Sequence, residues 1–282
     1  MLTMRYAILM ICAISSCTPS TPVSVTTEKP VPNIKLTQPH PESLVYQSPP
    51  PLPEQPNLPL AYHHTSRSGV IMSLVSFDDR TFQLRVADQP NGIGTRWRNA
   101  QSAAATYRGL AAINGGFFTP TGNPLGLLIE TGTKRGAINR SSLGAGMFVS
   151  SPTNSAIIRR QHYQTSSTAA RAYNLLQSGP MLAAHGQTIN GLSKTKPRPR
   201  SFIAWDGKNH WAIGYAEPCT LDALSQALAG TSPAGFNINT ALNLDGGSSA
   251  NLWVGPDALN GHQTHRPFFH KAVRNYLVLI PR

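Results

Sequence analysis

Twice in this sequence a short apolar run breaks into a polar residue and a pair of glycines. Ala111-Ala112-Ile113 leads into Asn114-Gly115-Gly116, and Ala241-Leu242-Asn243-Leu244 leads into Asp245-Gly246-Gly247-Ser248-Ser249. Runs this short and this apolar read as buried strands, so the chain must build a sheet with covered faces. The end of a buried strand aims its last side chain rigidly, and glycines beyond it let backbone N–H groups approach an anion closely. The serines add hydroxyl donors. Taken singly, Asn-Gly and Asp-Gly are also ordinary turn dipeptides. Two such tips in one chain make a candidate site.

Other segments fill in the class. Gly69 to Phe77, Thr81 to Ala87, Leu125 to Glu130, Gly146 to Ser150, Ser155 to Arg159 and Ala272 to Ile280 carry strand signals, and Ser201 to Trp205 pairs with His210 to Ala216 across an Asp-Gly-Lys-Asn turn. Asn99 caps a short helix through Tyr107, Thr168 to Gln177 reads as a second helix, and Thr220 caps a third that Gly230 stops. Strands outnumber helices without alternating with them, which predicts an α+β fold: a mixed β-sheet with a few packed helices, in a single domain.

The first 59 residues are of another kind. Tyr6 to Ala13 is an apolar run of eight after the positive Arg5, too short to span a membrane, which takes about 20 residues. With Ile14-Ser15-Ser16-Cys17 behind it, residues 1–16 read as a lipoprotein signal peptide and Cys17 as the acylated N-terminus. An ordinary cleaved signal with an incidental cysteine is the plainer alternative. From residue 17 to 59, twelve prolines are interleaved with Ser, Thr and Gln, a composition that suits an extended tether. Residues 60–282 then form the globular domain. Thr18 after the cysteine predicts the outer membrane, facing the periplasm of a bacterial cell envelope. Cys219 is the one thiol left and reads as a small buried residue.

The chain carries 24 Lys+Arg against 12 Asp+Glu, a net charge of +12. Such a surface attracts anionic or phosphate-bearing glycans and lipid head groups. The positives are scattered, with no basic helix, so nucleic acid is not expected as a partner. The eight histidines outside the tether show no metal-ligand spacing, and no metal or other cofactor is predicted, although a divalent cation stays open.

Five motifs in order, Ala112-Ile113-Asn114-Gly115-Gly116-Phe117-Phe118, Pro124-Leu125-Gly126-Leu127, Ser178-Gly179-Pro180, Pro199-Arg200-Ser201 and Asn243-Leu244-Asp245-Gly246-Gly247-Ser248-Ser249, resemble the phosphodiester glycosidase family. Two departures touch substrate identity. The family often has Asp-Gly-Gly-Gly-Ser where Ser248 follows Gly247 here, and Thr-Ala where Arg200 is followed by Ser201-Phe202.

The resemblance implies hydrolysis of a sugar–phosphate diester, with Asp245, Arg200 and Asn114 as catalytic residues. It also implies that Gly115, Gly116, Ser178, Gly179, Asn243, Gly246, Gly247, Ser248 and Ser249 bind substrate. A phosphomonoester leaving group has a second pKa of about 6 and departs with little protonation, so one carboxylate with an arginine fork could suffice. Plainer readings stand beside this one. Arg200 could be a surface cation beside Lys194, Lys196 and Arg198, and Asn114 could simply satisfy buried backbone. Glu130 and Glu217 are possible second acids. Two further functions fit the same cleft: a non-catalytic glycan-binding lipoprotein, and a glycosidase or phosphodiesterase that breaks a different bond.

Overall fold

The two apolar runs form strands Ala111–Asn114 and Thr240–Asn243, buried along their whole length. Each lies inside a sheet, with a neighbour on either side. The computed structural model describes residues 57–282. The expected signal peptide, Cys17 and nearly all of the tether lie outside the described residues.

Three sheets build the domain. The seven-stranded sheet runs in the order Ala61–Arg67, Val70–Asp78, His210–Cys219, Arg198–Trp205, Thr240–Asn243, Met181–Ala184, Gln187–Thr188. A five-stranded sheet runs Gln263–His265, Leu252–Val254, Ala111–Asn114, Asn275–Pro281, Phe82–Asp88, and another runs Thr133–Arg135, Leu128–Glu130, Asn174–Ser178, Gly146–Ser150, Ser155–Arg159. The α+β class holds in one domain. What the sequence left as a mixed sheet resolves into antiparallel ladders between all these strands, with one isolated parallel bridge at Ala61–Leu259. The few short helices lie on the outer faces, whereas a parallel sheet needs long crossover connections, usually helical.

The inner faces of all three sheets share one core, in which Phe77, Ile113, Phe148, Trp211, Leu242 and Leu277 are buried together. Outer faces are covered separately. Helix Leu221–Leu228 seats Leu224 and Leu228 against Leu182 and Phe202. Helix Ala100–Thr106, closed by an Asn99–Ser102 capping box, seats Ala103 and Ala104 against Ala112, Tyr276 and Val278. No helix among the described residues is long and apolar enough to cross a membrane.

One element differs from expectation. Residues 168–177 divide into a single helical turn, Ser167–Ala170, and the strand Asn174–Ser178. That strand pairs on both sides, with Leu128–Glu130 and Gly146–Ser150, and sends Leu175 and Leu176 into different clusters. A short apolar run fits either period, and here the two ladders decide for strand.

Strand Asn275–Pro281 enters the core beside a buried ion pair. Arg274 meets Asp88 fork to fork at 2.6 and 3.0 Å, and its Nη1 donates to the Gly122 carbonyl at 2.7 Å. Exposure is 4% for the arginine and 0% for the carboxylate, so each charge depends on the other.

Candidate active site at the strand tips

The two glycine-rich tips come from different sheets and are stitched together. Asp245 N–H donates to the Gly115 carbonyl at 3.0 Å, and Asn114 Nδ2 donates to the Asp245 carbonyl at 2.7 Å. Asn114 Oδ1 accepts from Ser201 Oγ at 2.5 Å and from Asn251 N–H at 2.9 Å. Asn114 is fully buried. Its amide therefore satisfies buried backbone, the plainer of its two readings, and positions Asp245 from beneath instead of facing a sugar.

Gly115 and Gly116 are also committed. Their N–H groups donate to Asn275, the first to its carbonyl and the second to its Oδ1, both at 2.8 Å. A β-carbon built on Gly115 would lie 2.1 Å from Asn275 Oδ1, so any other residue here must displace that side chain from the tip. These donors hold the tip and do not offer themselves to an anion, a correction to the expectation drawn from the glycines. Asn251 and Asn275 are thus parts of the site that the sequence analysis missed. Each is an amide inside or beside an apolar strand, where a polar side chain must be doing backbone work.

Asp245 stands above this base, partly exposed. Burial pushes its carboxyl up to about 6, against the opposing donation of the Ser249 side chain and Gly246 N–H. A carboxyl there can hold or release a proton near neutrality. Gly247 turns the chain at φ +62° and opens the short 3-10 turn Gly247–Ser249. Ser249 is buried beneath the turn and Ser248 is exposed on it.

Arg200 reaches the same turn: a β-carbon on Gly246 would sit 3.7 Å from its Cδ. It is half-buried, whereas Lys194, Lys196 and Arg198 are exposed. Its guanidinium is anchored, Nε donating to the Cys219 carbonyl at 3.1 Å and Nη2 to the Lys196 carbonyl at 3.3 Å. Among the described residues no ion pair joins Arg200 to Asp245. Burial therefore outweighs the Ser249 and Gly246 donors at the carboxyl with no arginine charge to oppose it, and burial also lowers the arginine's own pKa.

Ser178, Gly179 and Asn243 meet just below. Asn243 Nδ2 donates to the Gly179 carbonyl at 2.9 Å, ahead of a cis Gly179–Pro180 peptide. Four buried side-chain polar atoms among the described residues have no hydrogen-bond partner, and three are Ser178 Oγ, Asn243 Oδ1 and Asn251 Nδ2. A cavity of about 190 Å³ is lined by Asn99, Gln101, Asn251, Thr264 and Arg266.

Along the seven-stranded sheet the row Ser201, Tyr215, Ser73, His64 runs away from Asn114. His265 stacks on Tyr215, Tyr62 and His64, and its Nε2 lies 2.9 Å from Tyr62 Oη. Burial and His64 hold its pKa below the usual histidine value. Nothing in the sequence links residues so far apart. Of the other acids, Glu130 is tied up with Arg135 and Tyr107, while burial first and the charge of exposed Glu217 second raise the Tyr215 phenol. Among the described residues no three His, Cys, Asp or Glu side chains gather into a metal-binding group.

Residues 107–280 match the family model described as phosphodiester glycosidase. No curated protein matches the sequence. Among solved structures, the chain is similar to the catalytic domain of zebrafish N-acetylglucosamine-1-phosphodiester alpha-N-acetylglucosaminidase, auto-inhibited by its pro-peptide. That likeness has a TM-score of 0.56 at 19% identity and covers 78% of this chain and 82% of that one. It is also similar to a hypothetical protein from Synechocystis, with a TM-score of 0.53 at 16% identity over 78% of this chain and 61% of the other. At these identities the likeness speaks for the fold.

Proposed function

The chain belongs to the phosphodiester glycosidase family, and from that premise we propose that it is an envelope-anchored hydrolase of glycosyl phosphodiesters or phosphate-bearing cell-envelope glycans. The observation that carries the reading is the Asp245 carboxyl, raised to about 6 at the tip where two sheets join. A phosphomonoester leaves the anomeric carbon as an anion and needs little proton donation. Ionised Asp245 then stabilises the oxocarbenium-like centre or takes a proton from the attacking water. Arg200, its fork pre-oriented by the Cys219 and Lys196 carbonyls, turns its remaining N–H groups to the phosphate oxygens. Asn114, Asn251 and Asn275 do not touch substrate in this scheme; they hold the carboxylate in place.

Anchoring follows from the N-terminus: Cys17 carries the lipid, and the Pro-rich tether spaces the domain from an outer membrane, facing the periplasm. Mass spectrometry of membrane-extracted protein should show an acylated peptide beginning at Cys17, and an unmodified start elsewhere removes the anchor. For the activity, the protein is incubated with a panel of sugar-1-phosphodiesters in isotopic water, which reports the bond broken. Asp245→Asn should lower turnover by at least about 10²-fold. Tight binding of these glycans with no hydrolysis across the panel hands the site to the binding-module reading instead.

A further inference from the structure

The loop between strands Gln263–His265 and Asn275–Pro281 carries the most exposed large apolar side chains among the described residues. Phe268 is 92% and Phe269 81% exposed, against 61% for Leu259, the next. Their rings meet edge to face with centroids 4.8 Å apart, one compact apolar knob. Exposed Arg266 and Lys271 flank it, and Arg266 Nη1 donates to His270 Nε2 at 3.3 Å, closing the loop behind the rings. No Asp or Glu follows Asp257 in the sequence, so no acidic residue of this stretch offsets those cations. Two aromatic rings in water with cations on both shoulders are poorly placed for a dissolved domain. They suit the boundary between acyl chains and anionic head groups.

We propose that Arg266–Lys271 docks the domain onto an anionic lipid bilayer, Phe268 and Phe269 entering at head-group depth while Arg266 and Lys271 pair with lipid phosphates. The loop is tied to the candidate site, since Lys271 N–H donates to the Ser248 carbonyl at 2.8 Å. Docking therefore presents the Asp245 turn to the lipid surface. The inference does not depend on Asp245 being catalytic.

The test uses a soluble form, Thr18–Arg282, which omits the signal peptide and the acylated cysteine so that no anchor masks the loop. It is co-sedimented with vesicles of phosphatidylcholine alone or mixed with phosphatidylglycerol. Binding should favour the mixed vesicles. F268S/F269S should weaken it at least tenfold, on the order of one ring's transfer, with Tm unchanged because both rings are exposed. R266Q/K271Q should weaken it by about fivefold per cation and supplies the result if the serine variant misfolds. Equal affinity for the two vesicles, or wild-type affinity in a folded variant, overturns the proposal. So does concentration-dependent self-association through the rings without vesicle binding.

Discussion

Asp245→Asn should stabilise the fold at neutral pH even as it removes the group the proposed chemistry needs. An ordinary aspartate titrates near 3.8, whereas burial has brought Asp245 to about 6. Below the unfolded value both states carry the proton, and the residue's charge has no effect on stability. As pH rises from there, the unfolded chain ionises first, and the folded state loses stability until pH passes 6. A rise of about two pH units is worth about 3 kcal/mol above that point. Asparagine keeps the shape but receives the Ser249 and Gly246 donors less strongly, which takes back about 1 kcal/mol. The net of about 2 kcal/mol corresponds to a Tm higher by about 4–8 °C for a domain of this size. Thermal unfolding of both proteins between pH 4 and 8 checks this: the gap should open between pH 4 and about 6.5 and stay level above. A variant no more stable than wild type at pH 7.5, or a gap unchanged down to pH 4, refutes burial as the cause of the raised carboxyl.

Arg274→Met should cost about 3–5 kcal/mol in chemical denaturation, because Asp88, at 0% exposure, loses its fork and among the described residues is left with Arg135, 3.5 Å away. Gly115→Ala drives a β-carbon into Asn275 Oδ1; a loss of about 1–3 kcal/mol, with turnover falling alongside, is expected from melts and substrate assays. Cys219 is buried and its thiol is pushed up to about 11. Native protein at pH 8 should therefore resist iodoacetamide that alkylates the urea-unfolded chain readily, as read by mass spectrometry.

The elements with strong local signals were legible in the sequence. The hairpin around Asp206 was plain from its turn, and its carboxylate caps that turn by accepting from Lys208 and His210 N–H. The capped helices at Asn99 and Thr220 stand as expected. Asn174–Ser178 was not legible as a strand, because its identity comes from two neighbours remote in sequence. The site divides the same way. Asp245 and Arg200 could be picked out by residue type and motif, and both reach one turn. The work of Asn114 and the glycines could not, since a polar group at a strand tip looks alike whether it serves a ligand or the backbone. Asn251, Asn275 and His265 became visible only when separate sheets met.

That meeting of sheets bears on how the protein fails. Asn114 belongs to one sheet and Asp245 leaves the other, and the hydrogen bonds between their tips exist only while the common core is closed. No single lobe can carry the site through partial melting. Function should vanish in the same cooperative step as the core, at one temperature and one denaturant concentration, leaving no folded but inert species. Such a protein acts as its own inspector: any molecule still working is one whose core is still assembled.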